Sequence, residues 1–594
     1  MKKELFQQQI KKHEAQLSAK NRIFRKIGFV KLCHVMFTGF FIYQLFSFDG
    51  DHRLLIVSGI IILALVAFWI YHERLKQDIG YAKGMILINQ KQIDRITGAW
   101  TNFSDIGSEF VDHGHPYASD LDIVGQKSVF QLLNTTHTWH GRKRFAQDLL
   151  DPNYTDSDIF KRQAAILELS EDVIFSNDIQ YKFAQIGVHS GAKYLVKHLE
   201  DQTIFMKNTV LKYVAIYGPL VVLFLAGATF LFRLQAFYPA VLILLSVQII
   251  LWLLTFLKCA NYLEKVAHLN YNLDAYRGVL EVLKNQPFTS KKLNDIKTCL
   301  TGPDTSAILA LSELASMTNR AQIRKNGIAF VILNALFLFD ITTAIRFEGW
   351  KKKYGKHAKE WFDQLGEFES LLSFSHLPNV ITTTTLPKIN HDKKIEATLL
   401  GHPLITNESR VCNDVHIHDH ILIISGSNMS GKTTFMRSVG INLILARAGS
   451  FVCAKKMDVA PLQLMTSMRL ADNLSEGVST FYAELKRIKG ILDLAKTTPN
   501  MLFLIDEIFR GTNSVDRLLG AKTILTKLNQ LAVTGIITTH DLELCDISTD
   551  FSRIKNYSFL EQYHDDVIHF DYLIRTGVST TTNAKFLMKM MDII

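Results

Sequence analysis

Four long apolar stretches, set in two close pairs, constrain this chain more than any other feature of its sequence. Residues 29–48 are mostly apolar, and residues 54–71, 213–232 and 236–257 carry no charge at all. Each is roughly 17–22 residues long, the length a helix needs to cross a hydrocarbon core about 30 Å thick. Residues 49–53 and 233–235 join the pairs, so the pattern predicts two transmembrane hairpins. Trp69, Tyr71, Tyr213 and Trp252 lie near the ends, where interfacial aromatics belong. The first stretch is the weakest, because Lys31, His34 and Gln44 interrupt it. Buried helices of a soluble core are the competing explanation, but those are usually shorter. No small-residue cleavage site separates the first stretch from the second, which disfavours a cleaved signal peptide. Residues 328–339 are also apolar, yet Asp340 and Arg346 close them early, and this run is expected to be a buried helix of a soluble domain.

Composition sets the frame. A chain of 594 residues is too long for one core, and two to four domains are expected. With 48% hydrophobic and 21% charged residues, a disordered protein is excluded. The 6 cysteines show no paired CxxC spacing, which argues against a disulfide scaffold or a zinc ribbon. The net charge of +10 suits a nucleic-acid binder or a membrane protein with basic cytosolic faces. Lys2, Lys3, Lys11, Lys12, Lys20, Arg22, Arg25 and Lys26 precede the first stretch, Arg74 and Lys76 follow the second, and each hairpin tip holds a single Arg. The positive-inside rule then places the N-terminus, the middle section and the C-terminal half in the cytosol.

Chemistry becomes legible after residue 420. The apolar run Ile421-Leu-Ile-Ile424 reads as a buried strand and leads into Ser425-Gly426-Ser427-Asn428-Met429-Ser430-Gly431-Lys432-Thr433-Thr434. This fits G-x4-G-K-[ST], a loop whose glycines let backbone N–H groups wrap phosphates. Lys432 is expected to reach the β- and γ-phosphates and Thr433 to ligate Mg²⁺. A second run, Met501-Leu-Phe-Leu-Ile505, ends in Asp506, suited to the metal, and Glu507, suited to act as general base on the attacking water. A third, Gly535-Ile-Ile-Thr-Thr539, ends in His540, read as a catalytic or γ-phosphate-sensing group, with a purely structural histidine as the alternative. All three sit at strand carboxyl ends, where doubly wound sheets bind ligands.

These residues, in this order, resemble the MutS family of DNA-mismatch-repair ATPases. Gly426 to Thr434 is similar to G-P-N-M-x-G-K-[ST]-T, with Ser427 at the usual Pro, and His402-Pro403-Leu404 with Asn413-Asp414 resembles the segment before it. Asp472-Asn-Leu-Ser-Glu-Gly-Val-Ser-Thr-Phe481 resembles D-D-x-x-x-G-x-S-T-F. Asp506-Glu-Ile-Phe-Arg-Gly-Thr512 resembles D-E-I-G-R-G-T with Phe509 at a usual Gly, and Thr538-Thr-His540 resembles A-T-H. The resemblance implies an ABC-like ATPase domain that pairs with a second copy. Ser479 and Thr480 would then approach the partner's γ-phosphate, and Gly511, Thr512, Asn513 and Ser514 would cross the interface. Ser479 and Thr480 also suit an N-cap, with Glu484 completing the arrangement.

The resemblance extends backwards through residues 120–134, Thr136, Thr138, Gly141, residues 149–152 and 161–163, which look like the start of the family's helical core. Helical periodicity resumes over 262–283 and 305–344, and a lever-like helix is expected to lead toward the ATPase domain. Two departures stand out. The family's mismatch-reading N-terminal domain has no counterpart, and the second apolar pair stands where the family carries its DNA-gripping clamp. The clusters Lys351-Lys-Lys353, Lys393-Lys394 and Lys455-Lys456 suit DNA phosphate, anionic lipid or plain solvent.

The resulting expectation is a multidomain α and α/β protein: an N-terminal membrane hairpin, an all-α MutS-like core interrupted by a second membrane hairpin, and a C-terminal ABC-like P-loop α/β ATPase. The segments are 1–27 (basic), 28–72 (hairpin), 105–204 (core, first part), 205–258 (second hairpin), 259–385 (core and lever) and 386–594 (ATPase). Expected ligands are ATP and Mg²⁺. Expected partners are a second copy, membrane lipid and double-stranded DNA, in a multi-pass protein of a bacterial inner membrane. The function that follows is a membrane-tethered ATP hydrolase related to DNA repair or recombination. An ABC-like transporter and an ATP-switched scaffold without DNA binding are the alternatives; four spans and the lack of an LSGGQ-type signature count against transport.

Overall fold

The structure is a computed structural model of the chain, and it describes residues 2–47, 52–187, 205–232, 235–267, 273–302, 306–469, 480–509, 513–564 and 567–579. The chain opens with two helices of 46 residues each, α1 (Lys2–Ser47) and α2 (His52–Thr97), about 69 Å long at 1.5 Å per residue. They run antiparallel. Lys20 pairs with Asp78 at 2.9 Å, the rings of Phe24 and His72 lie 4.2 Å apart, and His34 Nε2 stands 2.8 Å from the Ile61 carbonyl. The basic segment 1–27 is therefore the first half of α1, because its Lys, Glu and Gln residues are good helix formers and nothing breaks the run. Residues 48–51 and several side chains of the predicted spans here lie outside the described residues.

Short capped helices follow: α3 (Val129–Leu133), α4 (Trp139–Leu150), α5 (Asp156–Glu171) and α6 (Val173–Ile186). Ser128, Thr138, Thr155 and Asp172 each accept a backbone N–H from the first turn, which satisfies one of its orphan donors. Next come α7 (Thr209–Leu231) and α8 (Tyr238–Ala267). Among the described residues, Thr209–Leu231 and Tyr238–Glu264 are long and apolar enough to cross a membrane. Large apolar side chains cover their surfaces, with Phe224 and Leu254 exposed at 74% and 73%.

The helical section resumes with α9 (Leu273–Asn285), α10 (Lys291–Thr301), α11 (Ala307–Gln322), α12 (Gly327–Phe337), α13 (Phe339–Ser375) and the short α14 (Leu377–Val380). The lever-like helix expected from the sequence is α13, unbroken over 37 residues. Two expectations need correction. The apolar run 328–339 is not a buried helix: it breaks at Leu338, which takes a left-handed φ of 46°, and Asn334 is the one fully buried residue of α12. Lys351, offered as a phosphate contact, is buried on α13 and faces the protein interior.

α13 is the spine of the helical section. Arg162 of α5, fully buried, binds Glu367 of α13 and reaches Asp148 of α4 at 2.8 Å; Ser370 donates to the same Asp148 at 2.6 Å. Two residues after Glu367, Glu369 accepts the backbone N–H groups of His137 and Thr138 at 2.6 and 3.2 Å and the Thr138 hydroxyl. Burial pushes the Glu369 carboxyl up to about 7, against the pull of those three donors.

The C-terminal part is α/β. A four-stranded sheet has the order β1 (Lys388–Ile389), β5 (Lys456–Val459), β2 (Lys394–Leu400), β3 (Asn413–His418). A six-stranded sheet has the order β10 (Val567–Thr576), β9 (Ile554–His564), β4 (Ile421–Ser425), β8 (Thr534–Thr539), β7 (Met501–Asp506), β6 (Gln463–Ser467). Its pairs are parallel except β9–β10, and β4, β7 and β8 are buried throughout. Both faces must then be covered. Leu422, Ile424 and Leu504 join a core that runs on into Leu121, Phe145 and Phe374 of the helical section. Ile421, Ile423 and Phe503 face a second core on the other side. Helices α15 (Lys432–Arg447), α16 (Thr480–Thr497) and α17 (Ser514–Gln530) complete this part.

Candidate nucleotide site

Strand β4 ends at Ser425, and the chain turns through residues 426–431 into α15. Two glycines make the turn possible. Gly426 has a φ of 146° and Gly431 a φ of 107°, and a Cβ on Gly426 would stand 2.8 Å from the Phe559 carbonyl. Neither position tolerates a side chain, so the loop backbone stays bare over the start of α15, whose first N–H groups carry no intrahelical partner. Met429 projects outward, 85% exposed. Ser427, at the position where Pro was expected, donates its hydroxyl to Glu561 of β9.

Lys432 is buried and donates to the carbonyls of Gly426 and Ser427, both at 2.7 Å, which folds its side chain back along the loop. Thr433 donates to both oxygens of Asp506 at 3.1 Å. Thr538, at the end of β8, donates to Asp506 Oδ1 at 2.6 Å. Glu507 follows with a left-handed φ of 53°, its N–H held by the Thr538 carbonyl at 3.3 Å and hydroxyl at 3.2 Å. A bulky residue rarely adopts that backbone, and such strain concentrates at functional sites. His540 faces Glu507 Oε1 through Nε2, which also lies 2.8 Å from Asn428 Oδ1. Three strand ends and the loop thus converge.

The loop and the end of β7 border a cavity of about 820 Å³, within the size range of cofactor sites. Its floor is Gly431, Lys432, Thr433, Asp506 and Glu507, and Tyr572 of β10 stands over Gly431. The loop's Thr434 lines it as well, as do Leu400, Ile405 and Val411, so one end is polar and the other apolar. His402, in the segment before the loop, is pushed down to about 3 by burial and by Arg437 and Arg410, and stays neutral.

Further side chains hold these elements in place. Asp122 pairs with Arg437 of α15 at 3.0 Å and with Arg469, and Asp120 accepts the amides of Met468 and Arg469 at 3.1 and 2.9 Å. Glu484, expected to complete a cap on α16, accepts the Phe509 amide. Asn513 caps α17, accepting the Asp516 amide at 2.8 Å, and Ser514 opens that helix. Ser479, Gly511, Thr512 and the side chain of Thr480 lie outside the described residues, as does most of the stretch 472–481. Among the described residues no cluster of three or more His, Cys, Asp or Glu side chains forms a metal site of its own.

The class defined by this geometry is a parallel α/β domain with its cavity at the carboxyl ends of the strands, beneath a glycine-framed loop. Residues 422–590 match the family model described as MutS domain V. The DNA mismatch repair protein MutS of Clostridioides difficile is 35% identical over 200 residues, 32% of this chain and 20% of that protein. The DNA mismatch repair protein MutS of Acetivibrio thermocellus is 32% identical over 207 residues, 33% of this chain and 24% of that protein. The one from Thermotoga neapolitana is 31% identical over 234 residues, 38% of this chain and 29% of that protein. Over its C-terminal domain the chain is similar to the MutS family. It spans only about a fifth to a quarter of the length of the first relatives it matches.

Proposed function

We propose that this protein is a membrane-tethered MutS-type ATPase, binding ATP with Mg²⁺ on the loop from Gly426 to Thr434 and hydrolysing it. The observation that carries this reading is the convergence of Thr433 and Thr538 on Asp506, with Glu507 held beside them at a strained φ. The residues fit the ligand. The loop has no room for a Cβ at Gly426, and Ser430 Oγ is buried there without a partner among the described residues. Thr433 and Asp506 offer the hard oxygen donors that Mg²⁺ prefers. When bound, the ion would neutralise charge on the phosphates.

The protein's own groups then divide the work. Backbone N–H groups of the loop and the start of α15 orient the phosphates, and Lys432 exchanges its carbonyl partners for phosphate oxygens. Glu507 orients the attacking water and takes its proton, while His540 and Asn428 steady Glu507 and the γ-phosphate end. Ser479, Thr480, Gly511, Thr512, Asn513 and Ser514 serve a site completed by a second copy. On this reading α7 and α8 are the second membrane hairpin and residues 386–594 the ATPase.

A DNA-repair role is carried over from the relatives' names; Lys351 is dropped as a duplex contact, since it is buried, while Lys352 and Lys353 beside it are exposed. The test is ATP turnover by the full chain in lipid vesicles, with and without Mg²⁺. Failure to hydrolyse ATP with Mg²⁺ present rejects the enzyme reading. Full turnover by a chain that sediments as a monomer rejects the composite dimer site. Salt-insensitive turnover with no binding to homoduplex or mismatched DNA favours the scaffold.

A further inference from the structure

Helix α12 is built inside out. Ile328, Val331, Ile332 and Leu336, which share one face at helical spacing, are 77%, 50%, 51% and 37% exposed, while Asn334 is completely buried. A helix on the surface of a water-soluble domain has the opposite arrangement, its apolar stripe inward and its amide outward. The inner face of α12 is anchored on α8. The Phe330 ring packs edge-on against Trp252 at 5.7 Å and lies 6.2 Å from Phe256. On α8, Leu253, Leu254 and Leu257 are exposed at the same level. The apolar stripe of α12 therefore continues the apolar surface of a helix long enough to cross a membrane.

We propose that α12 is a further membrane contact: a half-length helix seated against α8 in the cytosol-side half of the bilayer, its Ile328, Val331, Ile332 and Leu336 face turned to the lipid acyl chains. This rests on reading α7 and α8 as membrane spans. Eleven residues make a helix about 16 Å long, half of a ~30 Å hydrocarbon core, so α12 enters one leaflet and does not cross.

Both ends are constructed for that position. Before α12, Lys325 is exposed, and Arg324 lies over the Phe330 and Phe256 rings at 5.2 and 5.8 Å while pairing with Asp340 at 2.7 Å. Basic groups at this level meet lipid phosphates. Asn326 caps the first turn, accepting the Ala329 amide at 3.2 Å. After α12 the path turns by 78° into α13, which returns to the helical section. Asn334 closes that turn. Its Nδ2 donates to the Phe330 carbonyl at 3.0 Å and its Oδ1 accepts the Asp340 amide at 2.9 Å, so the polar groups at the bend are satisfied within the chain, as a low-dielectric setting demands.

The test uses the full chain reconstituted into vesicles of phosphatidylethanolamine and phosphatidylglycerol that contain a phospholipid with a photoactivatable group on its acyl chain. After illumination, lipid adducts are mapped on peptides. Adducts are expected on residues 327–337 as well as on 209–264, and none on 514–530, where Val515 and Leu519 are exposed apolar residues of the C-terminal domain. Replacing Ile328→Asp and Ile332→Asp together should remove the 327–337 adducts and leave those on 209–264. Adducts on 209–264 without any on 327–337 would overturn the inference and leave the membrane reading intact. Adducts on neither segment would overturn both readings.

Discussion

Arg162 of α5 donates its Nε–H to the carbonyl of Ala448, 286 residues later and one residue past the end of α15, at 2.7 Å. The same guanidinium binds Glu367 and Asp148. One fully buried side chain thus ties the long helix α13 to the far end of the helix that starts at Lys432. Replacing Arg162→Met leaves Asp148 and Glu367 buried without their main counter-charge, and should destabilise the full chain by about 3–5 kcal/mol. Chemical unfolding in detergent micelles checks this. Arg277→Ala, which removes an exposed pair with Glu281, serves as the control and should cost less than about 1 kcal/mol.

Glu507→Gln keeps the shape of the side chain and removes its basicity. ATP turnover should drop by about 10²–10⁴-fold while nucleotide affinity is retained. Unchanged turnover in a steady-state phosphate-release assay would reject Glu507 as the base.

Asp506 receives hydroxyl donors from both Thr433 and Thr538. Thr433→Val removes a proposed metal ligand without altering the loop's glycines, so the Mg²⁺ concentration for half-maximal turnover should rise. Thr538→Val leaves the ligand set intact but removes one donor from Asp506 Oδ1, and should shift the same titration less. Equal responses would mean that neither hydroxyl reaches the metal.

Glu369 has a carboxyl raised from 4.5 to about 7 by burial. Its folded state holds a proton that the unfolded chain gives up more readily, so this group's contribution is full below about pH 4.5 and is lost as pH rises through about 7. Glu369→Gln cannot ionise. The stability difference between the original chain and this variant should therefore move in the variant's favour across that interval, on the order of 3 kcal/mol. Thermal unfolding of both proteins from pH 5 to pH 8 measures it. Parallel curves would show that Glu369 does not titrate there.

Phe509 occupies a left-handed φ of 62° where the resembling motif has Gly, and its ring fills the space above Gly520 of α17. A Cβ on Gly520 would fall 2.5 Å from Phe509 Cε2. Gly520→Ala should therefore cost about 1–3 kcal/mol by overpacking. In a Phe509→Gly background that cost should vanish, and a double-mutant cycle on thermal stability reads the coupling.

Sequence and structure agree best where chemistry demands particular residues at fixed spacing. Lys432, Thr433, Asp506, Glu507 and His540 were legible because each stands at the end of an apolar run that can only be a buried strand. Their supports were not. Thr538 sits within a recognised motif, but its bond to Asp506 depends on β7 and β8 being neighbours. Asp120 and Asp122 meet residues 315 and more positions away, a proximity no local pattern encodes. The unbroken α1 was hidden because charge content suggested a boundary that helix propensity ignores. α12 was misjudged because a dozen apolar residues look alike whether protein or lipid covers them. The phase of Asn334, opposite Ile328 and Ile332, was the available clue.

Helix α13 has no break between its bend at Leu338 and the carboxylates of Glu367 and Glu369. That stretch is a rigid rod of about 42 Å, with Arg162 gripping one end close to α15 and α12 fixed to the other. Pivoting such a rod by about 5° at Glu367 sweeps its Phe339 end through roughly 4 Å, several times the displacement at the grip. The arrangement is that of a lever: with its pivot at Glu367, a displacement at the far end of α15 would be enlarged at the base of α12 to about the width of a methyl group.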